Sequence, residues 1–378
     1  VFTVADLDPR IESIDGSGSG LFSGNRVAMT LENEFEGNAA IVDYGNGLVG
    51  SFFENDPTLG APLEVNAQIG QYSRILTGDG DADLLTGWNN RDSLNGGDGD
   101  DTLIGNGGDD DLIGGAGADT MTGGRGNDAY SVDNAGDQVI ESNTVDGGND
   151  TVVTTVSYNV PVNVEVLIML GTANIASTGT SQRDIIVGNS GDNVINGAGG
   201  IDVMRGGAGN DTYAVDDSSD AVIEAAGEGD DAVYSSVDYI LDGAQEIETA
   251  ILTGSAVVLR GDDSDNQLFG NDQVNVLEGK LGTDYLLGLG GDDIFQVSKE
   301  ANATDLDVFG DFEGAGVVGG DRIAFAASEW GLDGVVTQIS QTSFEVTRAD
   351  GSNAQQFIIA NLAVGNNGLL AGDDYFFG

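Results

Sequence analysis

Aspartate recurs at nine-residue intervals in three stretches of the 378-residue chain. Asp83, Asp92, Asp101, Asp110, Asp119 and Asp128 form the first series, Asp184, Asp202 and Asp211 the second, and Asp284 and Asp293 the third. Each occupies the sixth position of a nonapeptide with the pattern G-G-x-G-x-D-x-U-x, where U is a large apolar residue. If successive turns of a coil stack at strand spacing, equivalent carboxylates lie about 4.8 Å apart and repel. A hard cation between turns converts them into ligands, joined by loop carbonyls in the all-oxygen set that calcium prefers and magnesium resists. The residues assigned to such sites are Asp101, Asp110, Asp119, Asp128, Asp202, Asp211, Asp284 and Asp293. Gly97, Gly99, Gly108, Gly115, Gly117, Gly124, Gly126, Gly207, Gly209 and Gly291 are assigned as the loop glycines of the same sites. A site needs loops one full turn apart, so n nonapeptides give about n − 2 ions: roughly four in the first array and two in each other, or roughly eight Ca2+.

Departures from the pattern sort the loops. Asn193, Asn266 and Asn275 stand at the acid position, where loss of charge weakens cation binding and favours amide ladders. The nonapeptides that start at Gly78, Gly87 and Gly179 lack the G-G-x-G loop, so each reads as an opening turn that caps its array. Asp83, Asp92 and Asp184 are therefore weaker ligands than the later aspartates.

The elements that must position these residues follow from the same period. Six nonapeptides run over 78–131, four over 179–214 and four over 261–296. Glycine at the first, second and fourth positions permits positive φ and close backbone approach. The x-U-x triplet is a short strand with only U pointing inward. Two nonapeptides make one turn, and stacked turns form two parallel sheets. Leu85, Leu94, Leu103, Leu112 and Met121, then Ile186, Ile195 and Met204, then Leu268, Leu277 and Leu286 fill the core. Each array ends with an aromatic in that slot: Tyr130, Tyr213 and Phe295. A longer repeat overlies the short one, since NDAYSVDNAGDQVIE from Asn127 returns as NDTYAVDDSSDAVIE from Asn210. The β-rich stretches between arrays, 132–178 and 215–260, read as wider turns of the same coil. Residues 1–77 read as a small β-rich N-terminal domain and 297–378 as a β-rich C-terminal cap with a secretion-signal region. The fold class is all-β, a calcium-bound parallel β-roll or β-solenoid.

Composition narrows the function. Twelve Lys plus Arg against 64 Asp plus Glu give a formal charge of −52, which disfavours nucleic acid and anionic lipid as partners. The chain has no His and no Cys, which removes His-based hydrolases, thiol nucleophiles, disulfides and Cys-ligated metals. No catalytic or cofactor-binding residues are assigned. Glu32, Glu34 and Glu36 share one face of a strand expected there and read as its wet face. No apolar stretch approaches the roughly 20 residues of a membrane-spanning helix, and no Lys/Arg-led apolar leader is visible.

On these nonapeptides the chain resembles the RTX, or haemolysin-type calcium-binding repeat, proteins over residues 78–296. That resemblance implies a calcium-loaded β-roll and export by a type I system through an uncleaved C-terminal signal. The segment DVFGDFEGAGVVGGDRIAF from Asp307 is similar to the region that follows the roll in serralysin-type RTX proteins, and the terminal DDYFFG suits such a signal. The leading expectation is a non-enzymatic structural protein, extracellular or at a bacterial cell surface, in a surface layer, matrix, appendage or adhesive. Its partners would be calcium and further copies of itself, other surface proteins or polysaccharide. The runner-up is the calcium-binding C-terminal region of an exported RTX enzyme whose catalytic domain lies outside this chain.

Overall fold

A computed structural model of the chain describes residues 73–142, 147–241, 243, 246–298, 306–312, 320–325, 335–338, 342–348, 354–359 and 375–377. Residues 1–72, with Glu32, Glu34 and Glu36, lie outside the described residues. Among the described residues every regular element is a strand, and no helix is long and apolar enough to cross a membrane. The chain divides into two units, Val1–Leu170 and Gly171–Gly378.

In the first unit, each strand pairs in parallel with the strand one coil turn further on. One stack runs Ile75–Thr77, Ser93–Asp98, Asp111–Ala116, Ala129–Val132, Thr151–Thr154 and Val166–Met169. The other runs Leu84–Thr86, Thr102–Gly107, Thr120–Arg125 and Gln138–Ile140. The nonapeptide dictates the register: Leu76 faces Leu94, Leu94 faces Leu112 and Leu112 faces Tyr130, two nonapeptides at each step. Leu85, Leu103 and Met121 make the matching column on the other side. Beyond Tyr130 the turns leave the nonapeptide register, first widening to bring Val152 over Tyr130, then narrowing to bring Leu167 over Val152. The apolar column continues through both. Strand Ile75–Thr77 shows that pairing begins just before the first nonapeptide.

Because each turn places one large side chain per sheet in the core, a single truncation leaves a void that its neighbours cannot fill. Leu103 is fully buried between Leu85 and Met121. Leu103→Ala should lower the stability of the calcium-loaded chain by about 2–5 kcal/mol, read from the denaturant midpoint.

The second unit repeats this construction. Ile195, Tyr213, Val233, Ala250, Leu268, Leu286 and Phe309 form one buried column. Leu259, Leu277, Phe295 and Ile323 form another, and Ile186, Met204 and Val222 a third. Towards the C-terminal end the core becomes aromatic. Phe295 stacks on Phe309 at 4.9 Å, and Phe357 lies 5.6 Å from both Phe309 and Phe344. There the coil gives way to antiparallel pairing of Gln355–Ile359 with Ser343–Thr347 and of that strand with Val335–Gln338, which covers an otherwise open parallel edge.

Candidate calcium centres

The acids of successive turns are tied together through the main chain. The N–H of Asp101 donates to Asp119 Oδ1 at 2.8 Å, that of Asp110 to Asp128 at 2.7 Å, and that of Asp184 to Asp202 at 2.8 Å. Asn266 donates to Asp284 and Asn275 to Asp293, both at 2.8 Å. This ladder aims one carboxylate oxygen back along the coil and leaves the other to face the loop.

What happens to that second oxygen divides the fourteen loops into two kinds. In the first two loops of each array the residue at position two donates its N–H to the acid or amide four positions on. Asp79 donates to Asp83, Trp88 to Asp92 and Thr180 to Asp184. Asn189 donates to Asn193, Asp262 to Asn266 and Asn271 to Asn275. These loops are closed by the local side-chain-to-backbone bond that Asp and Asn favour. The amide NH2 of Asn266 also bonds the carbonyl of Ile247, so an asparagine loop satisfies itself.

In the other eight loops, positions two and four both take positive φ. Asp101, Asp110, Asp119, Asp128, Asp202, Asp211 and Asp284 are buried there, and each keeps an Oδ2 with no hydrogen-bond partner. Asp293 is equally buried in the eighth. All ten glycines assigned from the sequence have positive φ. Position-one glycines do not, contrary to expectation; they are required by space instead. A Cβ built on Gly96 would overlap Asp101 Oδ2 and fall 2.5 Å from the Gly114 carbonyl oxygen. One on Gly115 would overlap the Gly97 carbonyl oxygen. The loops thus hold carboxylate and carbonyl oxygens close together in a pocket that side chains would fill.

Sequence reasoning missed part of this set. Asn106, Ala198, Lys280 and Leu289 occupy position two with φ of 60–76°, a region L-residues avoid, and Gly200 and Gly282 complete two open loops at position four. The ladder also runs past the arrays, through Asp137 and Asp150, Asp220 and Asp231, and Asp321. The triplets Gly148-Asn149-Asp150 and Gly229-Asp230-Asp231 share the spacing of Gly126-Asn127-Asp128, the signal that could have revealed two of these acids.

Buried, stacked carboxylates resist ionisation. Desolvation pushes Asp110 up to about 8, and the neighbouring Asp128 and Asp92 charges add to the rise. The same causes take Asp293 to about 7, and Asp101, Asp128, Asp202 and Asp211 to about 6. Asp284, buried beside Asp307, is raised as well. Oxygen-only ligands, buried carboxylate Oδ2 atoms that accept no hydrogen bond and a cradle cleared of Cβ atoms fit a hard divalent cation such as calcium, which takes six to eight oxygen ligands.

Fold and loops together define a calcium-binding parallel β-solenoid. The family model of the RTX calcium-binding nonapeptide repeat matches four times, at residues 75–103, 95–130, 178–213 and 260–295. Over these residues the chain carries the RTX calcium-binding nonapeptide repeat. No curated protein matches it.

Proposed function

We propose that this chain is a secreted structural protein of a bacterial cell surface or matrix, exported unfolded and folded by about eight calcium ions outside the cell. One observation carries the reading: the donor-free buried aspartate oxygens of the open loops sit in the folding element itself, so calcium binding free energy becomes folding free energy. The open loops number four, two and two along the three arrays, and each takes one ion. Bound calcium supplies positive charge between turns. The chain's own residues do the rest: the ladder N–H groups orient each acid, the positive-φ peptides turn carbonyls inward, and the apolar columns exclude water. At submicromolar cytosolic calcium the roll stays open, while millimolar extracellular calcium closes it, which suits type I export. With no His or Cys in the chain, the ordered acids serve assembly rather than turnover.

Two measurements test this. Elemental emission on the desalted, calcium-loaded full chain should count about eight ions, and four or fewer would reject one ion per open loop. Immunogold labelling of intact native cells should decorate the surface or surrounding matrix; label confined to the cytoplasm would overturn the exported role.

A further inference from the structure

Two carboxylate clusters lie where the first and second arrays end. Asp128, Glu141 and Asp150 form one, and Asp211, Glu224 and Asp231 the other; in each, one oxygen per residue lies within 4.8 Å of the others. All six residues are at least nine-tenths buried. Asp128 and Glu141 match Asp211 and Glu224 across the longer repeat, yet Glu141 and Glu224 belong to no nonapeptide. Asp128 Oδ2, Asp211 Oδ2 and Glu224 Oε2 have no hydrogen-bond partner. Three ionised carboxylates so close and so buried require a cation among them.

Other oxygens of the clusters are tied back to protein. The Tyr130 hydroxyl donates to Glu141 Oε1 and the Tyr213 hydroxyl to Glu224 Oε1. Ser142 N–H donates to Glu141 Oε2, and Gly206 N–H to Glu224 Oε1. Asp128 N–H donates to Asp150 Oδ1, and Asp211 N–H to Asp231 Oδ1. The third array has Phe295 where the others have tyrosine, and among the described residues it has no such triad. The hydroxyl occurs where there is a glutamate to orient.

We propose that Glu141 and Glu224 are calcium ligands, each completing a three-carboxylate site that ends its array, and that Tyr130 and Tyr213 are positioning residues for them. This rests on the reading of the open loops as calcium sites. A nonapeptide site draws its acids from stacked loops, whereas these draw a third acid from the strand-and-turn segment after the array. They therefore carry the highest charge and should fill first.

The test uses the full chain loaded with calcium alone. Glu141→Gln with Glu224→Gln should reduce the ion count by two, from about eight to about six, with the β-sheet circular dichroism retained at saturating calcium. Eight ions in both proteins would overturn the proposal. No ions in the unsubstituted chain would instead overturn the open-loop reading beneath it. Should the glutamine variant not fold, Tyr130→Phe with Tyr213→Phe decides, since Phe295 shows that the bare ring suits the core slot. Loss of the orienting hydroxyl should weaken terbium binding, followed by tyrosine- and tryptophan-sensitised emission in calcium competition, at the two tightest sites by at least about tenfold. An unchanged midpoint would show that the hydroxyl and its glutamate play no part in cation binding.

Discussion

EGTA will abolish the β-sheet circular dichroism of the full chain at neutral pH, and excess calcium, but not the same concentration of magnesium, will restore it. The size of the effect follows from the ladder. Two ionised carboxylates at strand spacing, about 4.8 Å, repel by about 3–4 kcal/mol at an effective dielectric of about 20. A typical domain is stable by only about 5–15 kcal/mol, so a few uncompensated rungs exceed what the apolar columns can offset. Asp92, Asp110, Asp128 and Asp150 are consecutive rungs of one such ladder, and Asp101, Asp119 and Asp137 of another. Eight calcium ions would bring roughly 16 positive charges to a chain of formal charge −52, at the points where its acids are most crowded. Magnesium holds its waters and demands tight octahedral geometry, which loops of main-chain carbonyls do not provide. A β signal that survives EGTA unchanged would refute calcium-dependent folding.

Much of this arrangement is legible from the nonapeptide because its two halves obey separate local rules. The apolar residue at position eight can only point inward on a short strand, so spacing alone places Leu94, Leu103 and Leu112 in the core. The closed loops are legible too, since a residue such as Trp88 or Thr180 at position two keeps its N–H turned to the acid. The reverse inference fails at Ala198, Lys280 and Leu289. Nothing in an alanine or a leucine asks for positive φ; the ladder and the following glycine impose it. Glu141 and Glu224 escape for a different reason. They stand outside the period of nine that places Asp128 and Asp211. Only the widened turn, which pairs Tyr130 with Val152 and Tyr213 with Val233, brings Asp150 and Asp231 back over them.

Acid should substitute in part for calcium. In EGTA, taking the chain from pH 8 to pH 5 should recover β-sheet signal, the opposite of ordinary acid denaturation. The sign comes from the direction of the shifts. Burial raises Asp110 and Glu224 to about 8, Asp293 and Asp150 to about 7, and Asp101, Asp128, Asp202, Asp211 and Asp231 to about 6. Their ordinary values are 3.8 for Asp and 4.5 for Glu, so without calcium the folded chain binds more protons than the unfolded one between about pH 4 and 8. Stability of the calcium-free fold therefore falls as pH rises through that window and is gained as pH drops, complete only below the unfolded values. Protons and calcium fill the same oxygens and substitute for one another in folding, so the calcium concentration that half-saturates folding should fall as pH falls from 8 to 5. Circular dichroism across that range, with and without EGTA, measures both trends together. A calcium-free β signal that weakens on acidification would mean that the buried acids are not what keeps the fold open.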